Sequence, residues 1–409
     1  MESRFLIKKC MLKPNGTSLD EDFDIVRGNP IVDYYESITS PSIAMTISFI
    51  DLDQVISKKG ITGGELIDFT TTFDDFDDFK ITSKKHRMVL NSVRNVFTDT
   101  NKQTATLEFV SEEAMINETS RINKKSTGNV SNTVEDLLKK DKKGIRTKKK
   151  LFKDRSANTY SFCNNLKRPF DTIQWLCPKT QASRKNFGFL FYETLDGYHF
   201  KSIEKLLKQK PIRYEKPDRP TEGSFRILEN NLNQSNDMGL NLRMGMYANN
   251  TIFVDLENQS KSIETTKTED IDLNKKVKLP KILEDKPTRL MFRLNDPGVA
   301  QKGGLFKRVQ PRSELAVYQN KSYIRNNLLF SQSLSLSIPL NPDLRAGQML
   351  DIRLPLKKGD NNKEADTSSY GSEKDNDISG KYLIAKLRHL IGGGKSETQL
   401  TLVRDVFTA

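Results

Sequence analysis

The residues on which enzymes most often build chemistry are scarce in this chain. Histidine occurs three times, at His86, His199 and His389, and cysteine three times, at Cys10, Cys163 and Cys177. An odd number of thiols with no CxxC pair gives no disulfide framework, and histidines this isolated offer no zinc-ligand spacing. No serine sits in a GxSxG elbow, so nucleophilic catalysis has no candidate. Apolar runs are short too, well below the roughly eighteen residues of a membrane span, and the opening MESRFLIKKCMLKPNG lacks a signal-peptide core. These absences predict a soluble, non-enzymatic chain made in a reducing compartment, with no catalytic, cofactor-binding or metal-binding residue to assign.

What is present is length, charge and alternation. At about 150 residues per domain, 409 residues allow two or three domains with cores of their own. With 35% hydrophobic and 29% charged residues, the chain is polar yet too rich in Phe, Ile and Leu to be disordered throughout, so folded domains with polar insertions are expected. The net charge of +13 is concentrated between Lys139 and Arg155, where ten basic residues face two acidic ones. Phe152 is the only aromatic there, so a solvated loop is the first reading and a nucleic-acid surface the alternative. FDDFDDF, Phe73 to Phe79, lacks the glycine and glutamate of a calcium loop and reads as an acidic loop.

One pattern occurs twice. LNSVRNVFTDTNKQTATLEFVS, Leu90 to Ser111, and IAKLRHLIGGGKSETQLTLVRD, Ile384 to Asp405, are both alternating strands joined by a tight turn. Leu90, Val93, Arg94 and Val96 align on Ile384, Leu387, Arg388 and Leu390; with one residue of slack, Leu107 and Phe109 fall on Leu400 and Leu402. A fold carried at both ends of one chain lets a trimer present six similar units, which is a solution to assembly.

Residues 1–115 read as mostly β, with Ile43, Met45, Ile47 and Phe49 on one strand face. Ser111 opens a helix with Glu112 and Glu113 in its first turn, and Thr133 with Asp136 marks a second capping pattern. RPFDTIQWLCP predicts a helix with Ile173, Leu176 and Cys177 on one face, closed by Pro178, and Trp175 as a core or interface anchor. Phe187 to Ser202 predicts a hairpin turning at Asp196 and Gly197. Residues 116–215 therefore have α+β character. Beyond 216, strands are expected at Asn241 to Tyr247 and Thr251 to Leu256, an insertion over about 258–312, a helix capped by Ser313 and running to Phe330, further strands, and a mobile loop over about 357–380.

Two imitations of chemistry fail on context. GGGKS, Gly392 to Ser396, has no glycine at the place where a phosphate-binding loop needs its first one, and a strand follows it; the glycines serve a hairpin turn. Glu193 and Asp196 are near enough in sequence to suggest a glycosidase pair, but proximity is their only support. His389 alternates with Leu387 and Ala385 and reads as a satisfied sheet residue.

SGKYLIAKLRHLIGGGKSETQLTLVRDVF resembles the closing hairpin of central baseplate hub proteins of contractile-tailed bacteriophages, a group related to late-control tail proteins and secretion-system spike heads. ESITSPSIAMTISFIDLD, HRMVLNSVRNVFTD and ATLEFVSEEAMI are similar to the first tube-like barrel of such hubs. RPFDTIQWL with FGFLFYETLDGYHFKS resembles their middle domain, and LRAGQMLDIRLPL a block of the second barrel. The resemblance implies a mainly β, α+β fold: tail-tube-like β-barrel domains at 1–115 and 216–409, joined by a smaller α+β domain at 116–215. It further implies a homotrimeric, pseudo-sixfold hub in the virion tail, synthesised in host cytoplasm. Its partners would be a trimeric spike, the tail tube protein and other baseplate proteins, with DNA passage through the lumen as an accompanying expectation.

Overall fold

A computed structural model describes residues 5–73, 77–98, 103–183, 185–215, 225–233, 238–255, 259–271, 286–294, 312–354 and 379–405. Strand accounts for 48% of the structure against 21% helix, in keeping with the expected mainly β class.

The N-terminal part opens with β1 (Phe5–Lys13), followed by β2 (Ile31–Ser37), β3 (Ala44–Asp51), β4 (Leu66–Phe73), β5 (Met88–Thr98) and β6 (Gln103–Ser111). Their spatial order is β2-β3-β6-β5-β4-β1, antiparallel throughout. Met45, Ile47, Leu107, Phe109, Ile67 and Phe69 alternate into one apolar core, as period-two patterning requires. Helix α1 (Glu112–Thr119) follows at once, as the Ser-Glu-Glu signal predicts.

The middle region contains α2 (Val130–Glu135), β7 (Lys150–Lys153), α3 (Pro169–Leu176), β8 (Phe189–Thr194) and β9 (Gly197–Ser202). Ile173, Leu176, Phe189, Phe191, Tyr198 and Phe200 share a second core. The hairpin stands where expected, but its turn falls one residue earlier than Asp196 and Gly197, at Leu195 and Asp196, because Gly197 already pairs with Thr194. Two further expectations are corrected. Thr133 lies inside α2, whose N-cap is Asn129; the Asn129 side chain accepts from Ser131 N at 3.2 Å and supplies the cap itself. The basic run starts as a helix end at Lys139 and Lys140, as its position after the capping pattern leads one to expect, but it does not continue as an exposed loop: β7 pairs in parallel with β9.

The C-terminal part contains β10 (Ile212–Glu215), β11 (Glu229–Asn233), α4 (Met238–Arg243), β12 (Ala248–Asp255), β13 (Ser260–Lys267), β14 (Arg289–Leu294) and α5 (Arg312–Leu329). It continues with β15 (Gln332–Pro339), β16 (Met349–Arg353), β17 (Gly380–Gly392) and β18 (Lys395–Arg404). Five of these strands run β11-β15-β18-β17-β16 in space. The strand expected at Asn241 to Tyr247 is instead the last turn of α4, ending at Arg243, followed by a turn. Leu242, Met246 and Tyr247 pack with Ile324 and Leu328 of α5, and this small core overrides the alternation of Leu240, Leu242, Met244 and Met246. Helix α5 begins at Arg312, so Ser313 is not its cap. The insertion is partly sheet: β12 pairs with β13 and β14. Asp74 to Phe76 of the acidic loop, the insertion's 272–285 and 295–311, and 357–378 of the expected loop lie outside the described residues.

Strand β2 joins the two parts into one sheet, pairing antiparallel with Lys386 to Ile391 of β17. Among the described residues, no helix is long and apolar enough to cross a membrane.

Candidate assembly surface

The two hairpins match beyond their hydrophobic pattern. Leu90 lies opposite Phe109 and Val93 opposite Leu107; Ile384 lies opposite Leu402 and Leu387 opposite Leu400. A bulge interrupts each hairpin at the same step, between Leu90 and Ser92 and between Ile384 and Lys386. Bulges re-aim a strand and are specified features, so one shared in register marks common construction. One alignment is corrected. A second bulge between Arg94 and Phe97 takes up the slack, so Phe97, not Val96, holds the place of Leu390.

The correspondence runs through five strands in the same chain order. On one flank, Met45 and Ile47 face Phe109 and Leu107 as Leu334 and Leu336 face Leu402 and Leu400. One strand further, Tyr34 faces Met45 as Leu232 faces Leu334. On the other flank, Leu66 pairs with Val89 as Met349 pairs with Leu383. There, GELIDF, Gly64 to Phe69, answers GQMLDI, Gly347 to Ile352. This short motif is the signal that reading by hairpins missed. The units differ in their additions: β1 joins β4 antiparallel, whereas β10 joins β16 in parallel.

The junction of β2 with β17 is built with care. Arg388 donates from Nε and Nη2 to the two carboxylate oxygens of Asp33, at 2.8 and 3.0 Å, and from Nη1 to Gln399 at 3.1 Å. This two-pronged geometry fixes register as well as charge. Beneath it His389 stacks on Tyr34, and its Nδ1 lies 2.9 Å from Thr398 Oγ1. Burial, with the charge of Arg345, pushes the imidazole down to about 3, so it is a neutral sheet residue. A cleft of about 620 Å³ opens over the junction, lined by Tyr35, Ser37, Lys386, Arg388, Gln399 and Thr401 among others.

Two buried carboxylates tie the parts together. Glu36 of β2 accepts from Tyr34 Oη at 2.8 Å, from Leu195 N at 2.7 Å and from Ala346 N at 2.9 Å, so it bonds both the middle hairpin and the second unit. Burial outweighs the charge of Arg345 and these donors, raising Glu36 to about 7. Glu193 accepts from Lys149 Nζ at 2.5 Å and from Ile43 N at 3.1 Å, and the same ammonium reaches Glu113 at 2.6 Å. Burial opposes the charge on Lys149, but Glu193 and Glu113 prevail and raise its pKa. Asp196 is exposed beside Arg345, at 3.4 Å. Glu193, closed off by its partners, and Asp196 therefore form no acid pair across a cleft.

Among the described residues, three of the ten basic residues between Lys139 and Arg155 are bound to carboxylates: Lys140 to Glu135 and Asp136, Lys149 to Glu113 and Glu193, and Lys153 to Glu135. Trp175 is an anchor of the middle core, with the ammonium groups of Lys179 and Lys167 at 3.3 and 4.4 Å from its ring centroid.

No family model matches the chain, and no curated protein matches it. Solved structures do. The tail protein of Neisseria meningitidis MC58 is similar at a TM-score of 0.56 with 9% identity, covering 99% of this chain and 98% of that one. The 43 kDa tail protein of prophage MuSo2 from Shewanella oneidensis gives the same score and identity, covering 98% and 99%. A component of the E. coli type VI secretion system is similar at 0.45, with 9% identity, over 99% of this chain and 78% of that one. The chain therefore has the fold of phage tail proteins, the class to which the sequence resemblance points.

Proposed function

We propose that this protein is the central hub of a phage-type tail baseplate, a structural part of the virion without catalytic duty. Three copies form a ring. Each contributes two tube-like barrel domains, 1–115 and 216–409, linked by the α+β domain of 116–215, so six similar units surround one axis. A trimeric spike meets one face, the first hexameric tube ring meets the other, and the hub nucleates the tube while leaving a lumen for DNA.

The observation that carries this reading is the five-strand unit built twice in matched register. A duplicated unit has no evident use in a monomer, whereas it reconciles threefold with sixfold symmetry in one molecule. The tail-protein fold supports the same reading. Mass photometry of the purified chain, alone and with a trimeric spike, is expected to show a trimeric species, and class averages a hollow ring of near-sixfold outline. A monomer under both conditions overturns the proposal.

A further inference from the structure

Inside one chain, the two units already meet edge to edge. Strand β2 belongs to the first unit, and its outer edge pairs with Lys386 to Ile391 of the second. The register places Tyr35 opposite Arg388 and Tyr34 opposite His389. Each side of this junction has a counterpart elsewhere in the chain, because the repeat matches β2 to β11 and β17 to β5.

Both counterparts are open. Strand β11 pairs with β15 alone among the described strands. Beyond Leu90, the edge of β5 facing away from β6 has no strand partner among the described residues, since β4 pairs with β5 only at Val89. This open stretch also carries Val96 at 42% and Phe97 at 70% exposure. An unpaired strand edge presents a row of backbone donors and acceptors, and proteins normally cover such an edge or blunt it. Here the stretch leaves two apolar side chains exposed.

We propose that the free edge of β11 in one copy adds antiparallel to Ser92 to Thr98 of β5 in the next copy, repeating between chains the junction that β2 and β17 make within one. The inference rests on the ring reading above and supplies its seam. Carrying the internal register across places Asn233 opposite Arg94 and Leu232 opposite Asn95. Arg94 stands where Arg388 stands in the internal junction, and Asn231 where Asp33 stands. The Arg94 side chain is 63% exposed and held by Glu108 at 3.0 Å, on the strand next to the seam. The contact is heterologous: β11 is the last strand of one branch of the chain's sheet and the stretch of β5 beyond Leu90 is an open edge in the other unit, so each copy uses two different edges and the series closes when the turn per copy divides the circle.

The test is cross-linking in a Cys163→Ser background, which removes the one exposed native thiol among the three cysteines. Arg94→Cys with Asn233→Cys, treated with a short bis-maleimide, is expected to give covalent dimers and trimers on denaturing gels. A mixture of the two single variants should give dimers and nothing larger, and each single variant alone should stay monomeric. Asn95→Cys with Leu232→Cys repeats the test one step along, should the first pair disturb the fold. If the protein is a trimer by mass photometry yet neither pair cross-links, the seam is wrong while the hub reading stands. If the protein stays monomeric alone and with a spike, both fall.

Discussion

Gly64 and Gly347 do the same work in two distant parts of the chain. Gly64 donates its amide to Leu90 O at 2.8 Å, and Gly347 donates to Ile384 O at 2.9 Å. In return Leu90 donates to Glu65 O and Ile384 to Gln348 O. Each glycine has positive φ, +103° and +86°, just before the apolar strand that follows the motif. These paired bonds lock a strand to the residue preceding its bulge, so the bulge and the glycine form one device used twice.

The two glycines should nevertheless differ in tolerance. A Cβ on Gly347 would meet Tyr192 Oη at 2.2 Å, whereas one on Gly64 would meet the Thr17 methyl at 2.8 Å. Tyr192 is buried and cannot swing away. Backbone strain alone costs about 1–3 kcal/mol at either site, and overpacking adds about 1–3 kcal/mol where the neighbour is fixed. Gly347→Ala is therefore expected to lower unfolding free energy roughly twice as much as Gly64→Ala, measured by urea denaturation.

Most of the sheet was legible in the sequence because strands buried on one face announce themselves by alternation. Met45, Ile47, Leu107 and Phe109 needed only that rule. The extent of the repeat was not legible. GELIDF and GQMLDI are too short to align alone, and the excursion carrying α4, β12–β14 and α5 separates β11 from β15, while β2 and β3 are joined by a few residues. Lys149 was hidden for another reason. Composition marks a run of lysines as solvated, and only the tertiary fold brings Glu113 and Glu193, from elements 36 and 44 residues away, onto one member of it.

Glu36 should impose a pH dependence on stability. Its carboxyl titrates near 7 when folded and near 4.5 when unfolded. Between these values the folded state binds the extra proton, so stability falls as pH rises from about 4.5 to 7, by an amount on the order of 3 kcal/mol. Glu36→Gln cannot titrate and should remove that slope. Urea midpoints of parent and variant at several pH values check this, and parallel curves for the two proteins would refute it.

Arg325 is fully buried, and its fork spans two carboxylates, donating from Nε to Glu204 at 2.6 Å and from Nη1 to Asp405 at 3.0 Å. It thereby ties α5 to the helix after β9 and to the end of β18. Arg325→Met leaves two carboxylates without their cation, a loss of about 3–5 kcal/mol. Arg325→Lys keeps the charge but cannot reproduce the fork, and should fall between the parent and Arg325→Met in thermal unfolding.

Lys149 separates a structural cation from its exposed neighbours in the basic run. It lies between Glu113 and Glu193, and Glu193 also holds the amide of Ile43, so the ammonium clamps the middle region to the first unit. Lys149→Met strands two buried carboxylates and is expected to cost about 3–5 kcal/mol. Lys148→Gln, on an exposed neighbour, should change stability by no more than about 0.5 kcal/mol. The contrast also bears on nucleic acid, because neutralising Lys149 disturbs the fold whatever the chain binds. Lys148→Gln with Lys142→Gln and Lys143→Gln is the cleaner probe, as all three positions are exposed. If the run serves only as surface, affinity for a labelled duplex at low salt should be unchanged by the triple variant. A loss of affinity at low salt that shrinks as salt rises would instead give the run a phosphate-binding role.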